Sequence, residues 1–175
     1  MKIQNVVIAG GGVLGSQIAY QCSYAGFHVT TYLRSEASVE RARPKVARLH
    51  GIYTAELQAA KTGATPVSRG LVMNQDPVGA DFDKLLQKAD AAYEGFHYET
   101  DLAAAVADAD LVIEALAEQP EAKEAFFSQL SPLLPEKTII ATNSSTLLPS
   151  LLAKSTGRPA KFLALHFANN IWKQN

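Results

Sequence analysis

Three polar clusters stand directly behind apolar runs in the second half of the chain. Glu114-Ala115-Leu116-Ala117-Glu118 closes the run DLVI, Asn143-Ser144-Ser145-Thr146 follows KTIIAT, and His166-Phe167-Ala168-Asn169-Asn170 follows KFLAL. A histidine and a serine brought together allow two chemistries. One is a Ser-His nucleophilic pair for acyl transfer, but the chain has no G-x-S-x-G elbow. The other is hydride transfer, in which an imidazole removes the proton of an alcohol while a hydroxyl orients the developing carbonyl oxygen. Hydride transfer needs a nicotinamide cofactor, and the start of the chain carries a turn suited to one. Val6–Ala9 is apolar, Gly10-x-Gly12-x-x-Gly15 follows, and Leu14, Ile18 and Cys22 then recur at helical spacing. Gly10 permits a sharp turn, Gly12 lets backbone N–H groups approach a pyrophosphate, and Gly15 lets helix and strand pack closely. Val13 and Leu14 open the helix whose positive end would face the phosphates.

The elements that must position these groups alternate along the chain. Residues 4–9 read as a strand, 13–24 as a helix with a glycine stop at Gly26, and 28–33 as a β-branched second strand. In this arrangement a carboxylate at the end of the second strand binds the adenosine ribose 2′-OH of NAD, and a nearby Arg accommodates the 2′-phosphate of NADP. Leu33 fills the acidic place and Arg34 follows, which tilts the reading toward NADP; the alternative is a solvated Arg34 and an NAD site held by its other contacts. Residues 36–61 look helical, with Pro44 expected to kink or break the helix. Arg41, Arg43, Lys45 and Arg48 on it could meet a phosphate-bearing substrate or form a solvated face. Residues 62–80 read as a loop-like insertion and 81–93 as an amphipathic helix with Phe82, Leu85, Leu86 and Ala89 on one face.

Alternation resumes with a short strand at 96–99 and an alanine-rich helix at 102–107 capped by Asp101. Residues 110–115 have the apolar run of a central strand buried on both faces. A helix at 121–134, a strand at 137–142, a short helix at 147–154 and a strand at 161–166 complete the chain. The fold class is α/β: a doubly wound parallel sheet, a Rossmann dinucleotide-binding domain spanning residues 1–175, with a helical excursion between strands two and three. Ligands of such sheets lie at the carboxyl ends of the strands, where all three polar clusters fall.

Composition agrees with one soluble, cytoplasmic domain. The chain has 175 residues, 47% of them apolar and 19% charged, with a net charge of −1. No basic excess points to nucleic acid, no apolar run is long enough for a membrane, and the N-terminus leads straight into a strand with no signal peptide. A single cysteine, Cys22, leaves no disulfide framework or thiolate metal cluster and reads as packing. No metal site is expected. His28, His50 and His97 lack comparable neighbours and read as structural or exposed.

The segments VVIAGGGVLGSQIA, DLVIEALAE, EAKEAFF, KTIIATNSSTL and FLALHFAN together resemble the NAD-binding domain of the 3-hydroxyacyl-CoA dehydrogenases, the 3-hydroxybutyryl-CoA dehydrogenase branch included. The resemblance covers nearly the whole chain, and ATNSSTL and LHFAN are more specific than the glycine turn. It implies an oxidoreductase of fatty acid metabolism that interconverts L-3-hydroxyacyl-CoA and 3-oxoacyl-CoA. His166 matches the catalytic general base, and Ser145 the serine that bonds the substrate oxygen and lies near the nicotinamide. Glu118, Lys123 and Asn169 match contacts to the nicotinamide half, and Gly10, Gly12 and Gly15 match the pyrophosphate turn. The excursion after strand two matches a part that helps hold coenzyme A.

Departures from the family pattern sharpen these expectations. Leu33 replaces the usual Asp, and HFANN replaces the frequent HFFNP. Within the family an acidic partner of the histidine follows shortly after the position of Asn175, as does a helical domain that completes the substrate site and makes most of a homodimer interface. The 175-residue chain is therefore expected to bind cofactor and turn over poorly. Two alternatives stay open: a dehydrogenase of the same superfamily acting on a non-CoA hydroxy acid, and a non-catalytic nucleotide-binding module that would tolerate loss of His166 and Ser145.

Overall fold

Residues that alternate sides along a strand must find apolar cover on both faces when the strand is central. The computed structural model, which describes residues 2–73 and 76–173, meets that demand with helices on each face of one sheet. In chain order the elements are β1 (Asn5–Ala9), α1 (Val13–Ala25), β2 (His28–Tyr32), α2 (Glu36–Lys61), α3 (Phe82–Glu94), β3 (His97–Glu99) and α4 (Leu102–Val106). Then come β4 (Leu111–Glu114), α5 (Pro120–Leu130), β5 (Ile139–Thr142), α6 (Pro149–Leu152) and β6 (Phe162–Ala164). The strands lie in the order β3-β2-β1-β4-β5-β6, and every pairing is parallel. The order reverses between β1 and β4, which opens a crevice at their carboxyl ends.

Alternation decides which face each side chain joins. Val7, Ala9, Val112 and Ile140 pack with Val106 of α4, Phe127 and Leu130 of α5 and Leu152 of α6. Val6, Ile8, Ile113 and Ala141 point the other way, onto Ile18 and Ala19 of α1. The excursion builds a second core of its own. Tyr20 and Tyr24 of α1 meet Val46, Leu49, Tyr53 and Leu57 of α2 and Leu85 and Ala89 of α3. The buried residues of α2 recur at steps of three and four (Val39, Ala42, Val46, Leu49, Tyr53, Leu57), one stripe of a long amphipathic helix.

Several expectations need correction. Pro44 does not break α2: the helix runs without interruption from Glu36 to Lys61. Pro44 is exposed, so the Glu40 carbonyl that loses its helical donor is on the solvent side. The sixth strand is shorter than expected, Phe162–Ala164, because a 3₁₀ turn occupies Pro159–Lys161. The sixth helix is also shorter, Pro149–Leu152. Asn175, with Gln174, lies outside the described residues, as do Asn74 and Gln75 within the insertion.

Ile171 and Trp172, beside an end that suggested little to pack against, are 6% and 3% exposed. The segment after β6 crosses α1 and seats Trp172 in the second core, 5.5 Å from the Tyr53 ring between centroids. Trp172 Nε1 donates to Glu56 Oε2 at 3.3 Å, and Gly70 N donates to Trp172 O at 2.9 Å. The insertion and α2 together supply the cover that the local sequence gave no sign of.

Candidate active site

The three motif glycines are needed for different reasons. Gly10 has φ +128°, and a Cβ there would lie 2.4 Å from Ala115 O. A Cβ on Gly15 would lie 2.3 Å from Gly10 O. Both glycines serve the packing of turn, strand and helix. A Cβ on Gly12 would meet nothing within 4 Å. Gly12 is exposed and ends the turn in extended backbone, with no side chain capping α1. The first helical bond runs from Ser16 N to Gly12 O at 3.0 Å, so the N–H groups of Val13, Leu14 and Gly15 find no acceptor among the described residues. Three unmet donors at a helix start, with open space over them, fit the pyrophosphate of a dinucleotide.

Next to this turn, Leu33 is 6% exposed and packs with Val39 and Ala42 of α2. Its side chain also presses on Gly11, where a Cβ would lie 2.8 Å from Leu33 Cδ2. The place that could hold a ribose-binding carboxylate is thus an apolar plug. Arg34 is exposed and makes no hydrogen bond or ion pair among the described residues. Ser35 caps α2, its Oγ 3.0 Å from Ser38 Oγ, and Arg41 Nη2 donates to Ser38 Oγ at 2.9 Å. Two other basic residues of α2 are used within or beside the helix: Arg43 pairs with Glu40 at 3.2 Å and lies over the Tyr98 ring, and Lys45 Nζ donates to Arg41 O at 2.6 Å, while Arg48 is exposed.

Across the crevice the ends of β4, β5 and β6 form one rim. β5 and β6 pair with Thr142 beside Ala164. Leu165 N donates to Thr142 O at 2.9 Å and Phe167 N to Asn143 Oδ1 at 2.8 Å. These two bonds bracket His166 and fix its backbone beside the turn that carries Ser145. His166 and Ser145 are both exposed, and neither side chain has a hydrogen-bond partner among the described residues. Asn169 is exposed on the same crossing segment, and Asn170 N donates to the buried Gln17 Oε1 at 2.7 Å. The segment is therefore anchored to β5 at one end and to the cofactor helix and α2 at the other.

Below the rim lies a chain of charges. Glu114 is fully buried: its Oε1 accepts from Leu116 N and Lys123 Nζ, each at 2.6 Å, and its Oε2 from Thr142 Oγ1 at 2.6 Å. Lys123, 1% exposed, also stands 3.4 Å from Glu118 Oε2. Glu118 Oε1 accepts from Ser144 Oγ, from Ser145 N and Thr146 N at 3.1 Å each, and from Thr146 Oγ1 at 2.9 Å. Desolvation pushes the Glu118 carboxyl up, but the bonds from Ser144 and Thr146 and the charge of Lys123 outweigh it and hold the group at about 2. Lys123, expected from the resemblance as a cofactor contact, is here enclosed between two carboxylates, while Glu118 is on the exposed rim.

The family model for the NAD binding domain of 3-hydroxyacyl-CoA dehydrogenase matches residues 5–175. The chain belongs to the 3-hydroxyacyl-CoA dehydrogenase family. It is 30% identical over 171 residues to a probable 3-hydroxybutyryl-CoA dehydrogenase of Bacillus subtilis, covering 98% of this chain and 50% of that protein. A solved diketoreductase, described as acting on dicarbonyl compounds by substrate-directed dual catalysis, is 42% identical with a TM-score of 0.81, over 100% of this chain and 53% of that one. A 3-hydroxybutyryl-CoA dehydrogenase from Escherichia coli is 27% identical with a TM-score of 0.71, over 97% of this chain and 30% of that one. The chain thus spans about half the length of the first two relatives and 30% of the third, and it carries the family's nucleotide-binding part.

Other residues matter here that a site list drawn from motifs passes over: Glu114, Asn143 and Gln17. Glu114 had a legible signal, since a charge inside a buried central strand must be paired. Asn143 stood in one of the polar clusters, but neither its hold on Phe167 nor that of Gln17 on Asn170 had a local signal, because the partners are 24 and 153 residues away. His50 has its Nε2 2.8 Å from Asp90 Oδ1 and is stacked on Tyr93, as a structural histidine would be. Cys22 is part of the α1 core, with burial pushing its thiol up to about 12. Among the described residues no group of acidic, histidine or cysteine side chains could hold a metal, and no helix is long and apolar enough to cross a membrane.

Proposed function

We propose that this chain is the cofactor-binding part of a dehydrogenase that interconverts 3-hydroxyacyl and 3-oxoacyl compounds, with L-3-hydroxyacyl-CoA as substrate. The observation that carries the reading is the bracketing of His166 beside the Ser145 turn by the bonds from Leu165 and Phe167 to β5. His166 takes the hydroxyl proton, and Ser145 Oγ donates to the oxygen as it becomes a carbonyl. A nicotinamide dinucleotide, when bound, accepts or returns the hydride. The unmet N–H groups of Val13, Leu14 and Gly15 would hold its pyrophosphate, and Glu118 and Asn169 would hold its nicotinamide half. Lys123 acts on it through Glu118. In this reading His166→Ala and Ser145→Ala each abolish turnover by the dehydrogenase and leave cofactor affinity within about threefold. A non-catalytic nucleotide module would lose nothing on either change.

NADP(H) is the proposed cofactor in preference to NAD(H). Leu33 leaves no carboxylate at the end of β2 to repel a 2′-phosphate, and the exposed Arg34 that follows it has no hydrogen bond or ion pair among the described residues. Titration of the chain with NADH and NADPH, followed by nicotinamide fluorescence, tests this. NADPH should bind about tenfold tighter, and Arg34→Ala should erase the difference. Tighter NADH binding would refute the preference and make Arg34 a bystander.

The diketoreductase at 42% identity favours a second reading, in which the substrate is a dicarbonyl compound without coenzyme A. Parallel assays of the dehydrogenase with acetoacetyl-CoA and a dicarbonyl compound that carries no coenzyme A separate the two. A soluble, cytoplasmic homodimer is proposed for the whole dehydrogenase, to be checked by its mass in solution.

A further inference from the structure

We propose that Glu114 is a positioning residue for Ser145, acting through Lys123 and Glu118; the functional consequence rests on the reading that Ser145 faces the substrate. Glu114 sits at the end of β4 with both oxygens committed: one to Leu116 N and Lys123 Nζ, the other to Thr142 Oγ1. A carboxylate buried this deeply persists only when its partners are in place. Those partners belong to the loop before α5, to α5 itself and to β5. Glu114 therefore fixes where the Lys123 ammonium stands.

Lys123 has two carboxylates to choose from. It takes Glu114 at 2.6 Å and stands off from Glu118 at 3.4 Å. The unequal split matters for Glu118. Its Oε2 is steadied from below, while its Oε1 remains available to the Ser144 hydroxyl, the Thr146 hydroxyl and the backbone N–H groups of Ser145 and Thr146. One carboxylate oxygen thus gathers the whole turn after β5. The Ser145 hydroxyl is left out of the network and exposed. Without the Glu114 charge, Lys123 has Glu118 as its sole counter-ion. It is then free to close on Glu118 and draw the carboxylate off the turn. Glu114 keeps the lysine from taking the oxygen that shapes the Ser145 backbone.

The test uses the full 175-residue chain. Glu114→Gln removes the charge at constant shape, and Glu114→Gln with Lys123→Met replaces the buried pair by a neutral one. Thermal unfolding reads the fold, amide hydrogen exchange reads the Ser145 and Thr146 N–H groups, and fluorescence titration reads NADPH and NADH binding. The double variant should keep its midpoint within about 4 °C of the parent. In Glu114→Gln, where the lysine remains to close on Glu118, the Ser145 and Thr146 amides should exchange about tenfold faster and cofactor should bind about tenfold more weakly; in the double variant, which removes the lysine as well, both should return toward the parent values. Normal protection of those two amides in folded Glu114→Gln, or unchanged loss of protection in the double variant, would overturn the proposal. Should Glu114→Gln not fold, Glu114→Asp, which keeps the charge and shortens its reach to Lys123, decides: unchanged protection of the turn in that variant overturns the proposal, and loss of protection supports it. If the parent chain binds neither cofactor while the amides behave as expected, the positioning role stands and the cofactor reading falls.

Discussion

Gly12 and Gly15 lie three positions apart in one motif, and their surroundings assign them opposite duties. A methyl group on Gly15 would overlap the Gly10 carbonyl, whereas one on Gly12 would stand in open space. Gly15→Ala should therefore destabilise the chain by about 1–3 kcal/mol in urea unfolding. Gly12→Ala should leave unfolding unchanged and weaken dinucleotide binding about tenfold or more, measured by fluorescence titration. Glu118 carries a pH signature at the same scale. Its folded-state value of about 2 lies below the ordinary 4.5, so its contribution to stability is complete above about pH 4.5 and fades as pH falls toward 2. The stability gap between the parent and Glu118→Gln should shrink over that acid window in pH-dependent urea melts. Asp110 behaves in the same sense at the opposite sheet edge, where the backbone bond from Asn5, the Lys137 side chain and the bond from Gln4 hold its carboxyl far below the usual range.

Two elements hold conformations that a single substitution can probe. In α2, Pro44 removes one helical donor on the solvent side without ending the helix. Pro44→Ala restores the donor and should raise stability by roughly 1–3 kcal/mol in thermal or urea unfolding. The segment carrying His166 and Asn169 depends on its far anchor. A Cβ on Gly70 would fall 2.7 Å from Trp172 Cα. Gly70→Ala should lift Trp172 from its pocket against Tyr53 and shift its emission to the red. Trp172 is the single tryptophan of the chain, so intrinsic fluorescence reads that anchor directly.

At the scale of the whole molecule, the crevice gathers what hydride transfer requires from widely separated parts of the chain. The glycine turn follows β1, Ser145 follows β5, and His166 follows β6. Among the described residues no carboxylate pairs with His166, so no carboxylate there orients its ring. The 175-residue chain should bind a nicotinamide dinucleotide and yet oxidise 3-hydroxybutyryl-CoA roughly a hundredfold or more slower than an ordinary dehydrogenase. An ordinary rate in a steady-state assay would show that His166 needs no such partner.

Much of this architecture follows from local pattern. Apolar runs, helical spacing and the glycine turn specify the parallel α/β sheet, because strand and helix periods are properties of a few neighbouring residues. The same runs place the polar clusters at strand ends, so His166, Ser145 and Glu118 were legible as one edge. Other features depended on partners far away in sequence. The enclosure of Lys123, by resemblance a cofactor contact, between Glu114 and Glu118 is visible only in the fold. Pro44 reads as a kink or break until the stripe from Val39 to Leu57 is seen packed along one side. Ile171 and Trp172 read as a loose end until α1, α2 and the insertion cover them. Short-range periodicity determines which elements form and in what order. Burial, the sharing of one ammonium between two carboxylates and the seating of a tryptophan are settled only when distant segments meet, since each depends on the solvent and charge that the completed fold leaves around it.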